Sequence, residues 1–129
     1  MTAVDTNVVV RLLTADDPKQ AAAAKSLFQR HSVWIPKTVF LETGWVLRSL
    51  YGYDESAIRD AFIKVLGLQN VHVEDGPAIA AALALTAKGI DFADALHLNS
   101  RPPGAAFVSF DRSFVRRAKR ASVTGVSAP

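Results

Sequence analysis

Short β-rich runs separated by longer stretches of helical period constrain this chain more than any other feature. Thr2–Asp5, Val33–Ile35, Val71–Val73, Ala105–Phe110 and Ser122–Val126 read as strands. Between them, helical period runs through Val8–Leu13, Lys19–Arg30, Thr38–Tyr51, Asp54–Leu66, the Ala-rich stretch from Gly76-Pro77 to Lys88, Asp91–Ser100 and Arg112–Arg120. Asp16-Asp17-Pro18 starts one helix, with Asp as cap and Pro in the first turn. Gly52, Gly67, Gly89 and Pro102-Pro103-Gly104 stop others. Strands joined through helices pair parallel, with right-handed crossovers and helices on both faces. No repeat, linker or composition break interrupts the pattern, so residues 1–129 are expected to form a single α/β domain.

Composition narrows the chemistry. The chain has no Cys, which removes disulfides, thiolate zinc sites, iron–sulfur clusters and cysteine nucleophiles together and fits a reducing compartment. His31, His72 and His97 are the only imidazoles, and none are paired as HxxxH. Any metal is therefore expected to be a hard cation held by oxygen. No Walker loop, GxGxxG, zinc spacing or Ser–His–Asp arrangement competes. The longest apolar run, Ala78 to Leu85, is too short to cross a bilayer, and no charged leader precedes an apolar stretch. A cytoplasmic protein without a membrane partner is the expectation. The net charge is +3, with Arg112, Arg116, Arg117, Lys119 and Arg120 gathered in one acid-free segment. A basic surface suits a polyanionic partner.

Against that surface stand acids in costly places. In an open α/β sheet, ligands bind at the carboxyl ends of the strands. Asp5 ends the first strand and Asp111 a later one. Either alone reads as a helix cap; two on the same edge point to a site. Glu42 has Val39, Trp45 and Val46 three and four residues away, which puts it on or beside an apolar stripe. The plainer alternative is a rim Glu paired with Arg48 or Lys37. Asp94 lies one turn inside its helix among Ala93, Ala95, Leu96 and Leu98, with Asp91 in the capping place and His97 on the same face. Glu74 and Asp75 read as caps before Gly76-Pro77.

Several carboxylates in one apolar cleft repel unless a counter-charge is present. A divalent ion supplies it. Mg²⁺ or Mn²⁺ uses a few carboxylates, keeps waters and takes up a substrate phosphate, and it lowers the pKa of a bound water for in-line attack.

The opening Val4-Asp5-Thr6-Asn7, the helical Leu41-Glu42, the stretch Gly89-Ile90-Asp91-Phe92-Ala93-Asp94-Ala95-Leu96 and the segment Val108-Ser109-Phe110-Asp111 resemble the PIN-domain nucleases. The VapC toxins of toxin–antitoxin pairs are the nearest in pattern. The resemblance covers essentially the whole chain, with the four acids at successive spacings of 37, 52 and 17 positions. It implies a three-layer α/β/α fold around a central parallel five-stranded sheet. It also implies that Asp5, Glu42, Asp94 and Asp111 are catalytic and hold Mg²⁺ or Mn²⁺. Thr6 and Ser109 match small hydroxyl positions that support the acids, and Asp91 a helper position. The activity implied is endoribonuclease cleavage of RNA by a homodimer that a small antitoxin silences. Arg112, Arg116 and Arg117, following Asp111, are candidates to hold RNA phosphates or else form a solvated face. Trp45, Tyr51, Tyr53 and Phe62 read either as core or as a groove for a second copy or an antitoxin.

Two other readings compete. A magnesium-binding signalling module of the phosphoacceptor type needs paired acids after the first strand and a late-strand Lys; Asp5 stands alone and Phe107–Phe110 has no Lys. A non-catalytic RNA-binding scaffold is disfavoured only by the completeness of the four acids.

Overall fold

The β-rich runs become strands of only two or three residues, and their shortness sets the sheet arrangement. The computed structural model describes residues 1–129, which divide into two compact units, Met1–Gly76 and Pro77–Pro129. The first holds β1 (Thr2–Ala3), α1 (Thr6–Thr14), α2 (Pro18–Arg30), β2 (Val33–Ile35), α3 (Lys37–Tyr51), α4 (Glu55–Leu66) and β3 (Val71–Val73). The second is built from α5 (Gly76–Thr86), α6 (Phe92–Asn99), β4 (Phe107–Val108), α7 (Arg112–Arg120) and β5 (Val126–Ser127).

The expected single five-stranded sheet is not what forms. The first unit has a three-stranded parallel sheet in the order β1-β2-β3, and β4 pairs with β5 in a separate parallel ladder. β1, β4 and β5 are two residues long, and so few ladder positions leave little backbone with which to extend a sheet. The expected pairing sense, parallel through helical crossovers, is observed in both ladders.

In the first unit the central strand is buried at Val33 and Ile35, and α3 turns Phe40, Thr43, Gly44 and Leu47 inward. Phe40 meets Phe62 of α4 edge to face, with ring centroids 5.2 Å apart. Phe62 is thus core, whereas Trp45 is 64% exposed. α3 starts after Pro36, which has no side chain able to cap it. Glu74, at the end of β3, takes that role: its Oε1 accepts from the Lys37 N–H at 2.8 Å, and Asp75 pairs with the Lys37 ammonium at 3.1 Å. Glu74 therefore caps α3 rather than the following helix, a correction that follows from β3 running beside β2, while Asp75 holds the Lys37 side chain.

The second unit buries Ile79, Ala82 and Leu83 of α5, Phe92, Ala95, Leu96 and Leu98 of α6, and Phe114 and Ala118 of α7. Phe107 of β4 packs edge to face on Phe114, 5.6 Å between centroids. That packing anchors α7 and fixes the turn carrying Ser109, Phe110 and Asp111.

Candidate active site

Each strand-end acid is positioned by the helix it starts. Asp5 leaves β1 with extended backbone (φ −94°, ψ 179°) and caps α1, its Oδ1 accepting from the Val8 N–H at 3.2 Å. Capping occupies one carboxylate oxygen and leaves Oδ2 for a ligand. Thr6, the next residue, is buried.

Glu42 lies on α3, one turn from Thr38 and Val39, and the same cleft of about 250 Å³ is lined by Asp5, Thr6, Asn7, Thr38, Val39 and Glu42. The first unit thus brings two of the four predicted acids to one cavity. Glu42 is exposed, not on the buried stripe of α3, which is formed by Phe40, Thr43, Gly44 and Leu47. The expected apolar placement is corrected accordingly. Its plainer alternative fails too: Lys37 is held by Asp75, and Arg48 is paired with Glu55. Glu42 is left facing the cleft with no ion pair.

A second cavity of about 390 Å³ lies between α1 and α2, sharing Asp5 and Asn7 with the first and extending to Arg11 and Gln20. Arg11 is fixed there by bonds from its Nε to Gln20 (2.8 Å) and from Nη1 to Asp16 (2.9 Å) and the Tyr51 hydroxyl (3.2 Å). The Tyr51 hydroxyl donates to Asp16 at 2.6 Å, and with Thr14 and Arg11 it holds the Asp16 carboxyl below its usual range against the opposing effect of desolvation. Nothing in the sequence pattern singles out Asp16 for this network. Arg11, Asp16 and Tyr51 are spread over 40 positions, so no local period reveals them.

The second unit carries the other acids. Asp91 caps α6, accepting from the Asp94 N–H at 2.8 Å, as its place before Phe92 requires. Asp94 is half-buried one turn into the helix. Burial raises its carboxyl above the ordinary range; the charges of Asp91 and Asp111 push the same way, as does a hydrogen bond with Asp91, and His97 opposes them. Asp111 caps α7 through the Phe114 N–H at 3.0 Å, and its own N–H donates to Ser109 Oγ at 3.0 Å. Ser109 thereby braces the acid two residues on. Arg112, Arg116 and Arg117 are all exposed on α7.

Three carboxylates of one sign feel each other in this unit, yet no group of three or more His, Asp or Glu side chains is drawn close enough to cage a cation.

A profile of the PIN domain matches residues 2–120 of the 129. The chain belongs to the PIN-domain family. The match runs through both units and spans all four acids. PIN domains are generally nucleases, generally use divalent metal ions, and PIN nucleases act on RNA. Neither among curated proteins nor among solved structures was a significant match to this PIN domain found. No helix in it is long and apolar enough to cross a membrane.

Proposed function

We propose that this PIN domain is a metal-dependent endoribonuclease, with Asp5, Glu42, Asp94 and Asp111 as ligands for Mg²⁺ or Mn²⁺. The observation that carries the reading is Glu42 and Asp5 lining one cleft, with Glu42 unpaired although cations stand on its own helix. The donor chemistry fits a hard cation: every candidate ligand is a carboxylate, and Asp94 sits in an anionic surrounding that a cation would relieve. When bound, the ion supplies charge neutralisation at the phosphate and an acidified water.

This chain's own residues do the rest. Asp5 and Asp111 are held by the helices they cap, so their carboxylates are oriented before substrate arrives. Ser109 fixes Asp111, and Thr6 lies buried beside Asp5 at the cleft. Asp91, by capping α6, orients the turn that carries Asp94. Arg112, Arg116 and Arg117 offer guanidinium groups to RNA phosphates. We read the chain as one domain acting as the toxin of a toxin–antitoxin pair in the cytoplasm. Exposed Trp45 on α3 is the side chain offered for contact with a second copy or an antitoxin.

End-labelled RNA incubated with the purified chain and Mn²⁺, Mg²⁺ or EDTA tests the proposal, beside Asp94→Asn. Cutting that needs metal and vanishes in the variant is expected. RNA binding without cutting in any metal would replace the nuclease with a binding module.

A further inference from the structure

Phe110 is 88% exposed, the most exposed of the large apolar side chains. It stands between Ser109 and Asp111, in a turn pinned by the Asp111 N–H bond to Ser109 Oγ and by the capping bond to Phe114 N–H. Its backbone is therefore held rather than loose, while its ring has no ring partner in the chain; the packed ring pair of this region is Phe107 with Phe114. Isolated exposed apolar residues are common. What distinguishes this one is its surroundings. α7 begins two residues later, and at 100° per residue Arg112, Arg116, Lys119 and Arg120 fall on the face opposite buried Phe114 and Ala118. This cationic stripe is about 12 Å long, eight rises of 1.5 Å from Arg112 to Arg120, and it starts two residues after Phe110. An exposed aromatic on a held backbone at the head of a basic helix combines the two elements with which proteins hold single-stranded nucleic acid: guanidinium and ammonium groups for the phosphates, a flat ring for a base.

We propose that Phe110 is a stacking platform for an unpaired RNA base, and that the α7 stripe holds the phosphates of the same strand. The inference rests on the nuclease reading for its choice of RNA, and it names how that substrate is seated. The ring adjoins Asp111, so the stacked base belongs to a nucleotide at or next to the cleaved bond.

The test is binding of a fluorescein-labelled single-stranded RNA to the full chain in EDTA, where nothing is cut, at several salt concentrations. Phe110→Ala and Phe110→Leu are each expected to weaken affinity about 5- to 150-fold, the range for losing one stacked base. Phe110→Tyr is expected to bind as the wild type, and Phe110→Trp to show quenching of its added emission as RNA is titrated. Because the ring is exposed, each variant should keep the wild-type thermal midpoint. Wild-type affinity in Phe110→Leu would reduce the ring to a greasy surface and overturn the proposal. So would a chain that binds no RNA, or a Phe110→Ala variant that binds RNA normally while changing its oligomeric state, which would give this ring to a second copy. Metal-dependent cutting is measured separately, so a nuclease that ignores Phe110 and a platform without cleavage are distinguished.

Discussion

Asp16 of the first unit and Asp94 of the second stand in opposite electrical circumstances. In the first, Asp5 is an exposed helix cap and Glu42 an exposed residue on α3, and both line one open cleft. Even the network behind them is balanced: Asp16 is held below its ordinary range, first by the Tyr51 hydroxyl, with Thr14 and Arg11 adding to it. In the second, Asp94 is half-buried and raised, by burial first and then by Asp91 and Asp111. One unit keeps carboxylates at little cost to its fold; the other keeps one at a cost. Carboxylate chemistry retained where it is costly is a mark of function, and the contrast singles out Asp94.

Amide substitutions probe this contrast most strongly. Asp94→Asn, Asp5→Asn and Glu42→Gln are each expected to lower RNA cleavage by more than about 100-fold, beyond what losing a supporting partner costs. Stability should split them. Asp94→Asn removes a charge the fold disfavours and is expected to raise the thermal midpoint at pH 7, measured by calorimetry without metal. Asp5→Asn keeps a capping side chain, and Glu42→Gln changes an exposed group, so both should stay within about 0.5 kcal/mol of wild type. An Asp94→Asn variant that is less stable than wild type would erase the comparison.

Cation and pH sharpen the same point. Mn²⁺ is expected to raise the wild-type midpoint and to leave that of Asp94→Asn nearly unmoved, since an ion that binds only the native state stabilises it. Without metal, the sign follows from proton binding. Asp94 has a native pKa above its ordinary 3.8, so between the two values the native state holds more protons than the unfolded chain. Its contribution therefore falls as pH rises through that window. Asp16 has the opposite sign: its contribution is present above 3.8 and is lost as pH falls through its lowered native value. Urea midpoints against pH for wild type, Asp94→Asn and Asp16→Asn separate the two slopes.

How much of this is legible in the sequence depends on range. The capping of Asp5, Asp17, Asp54, Asp91 and Asp111 is local, set by residues three positions apart, and each lies where the helix starts predict. Parallel pairing follows from the alternation of strand and helix. What escapes is long-range. The capping of α3 by Glu74 spans 37 positions and depends on which strand neighbours β2. Apolar neighbours three and four residues away put Glu42 on or beside the apolar stripe, yet the buried residues of α3, Phe40, Thr43, Gly44 and Leu47, lie on another side of the helix. The short strands escape for a different reason: the β-rich run Ala105–Phe110 has the composition of a longer strand, but hydrogen bonding supports only Phe107–Val108.

Smaller effects test whether the caps in the two units are equivalent. Asp5→Ala and Asp111→Ala each remove one side-chain bond to a helix start, and both are expected to cost about 1 kcal/mol. Chemical denaturation measures it. The Ser109 brace takes the Asp111 backbone N–H, which Asp111→Ala keeps, so Ser109→Ala tests it separately: a measurable loss of stability there would indicate that the brace is part of the fold and not only of the site.

The smallest expected effect concerns the cationic face of α7. Arg116 is exposed and its neighbours Arg112, Lys119 and Arg120 share its side of the helix, so it contributes one charge among several. Arg116→Ala should leave stability unchanged and weaken RNA binding only a few-fold at moderate salt. Its signature is the slope of log affinity against log salt, which is expected to become shallower by about 0.7 when one phosphate of a single strand is no longer neutralised. Lys25→Ala on α2 of the first unit, an exposed cation outside both clefts, is the control and should leave that slope unchanged. Equal slopes for the two variants would mean that the stripe is only a solvated face, and that the basic character of the second unit has no part in holding RNA.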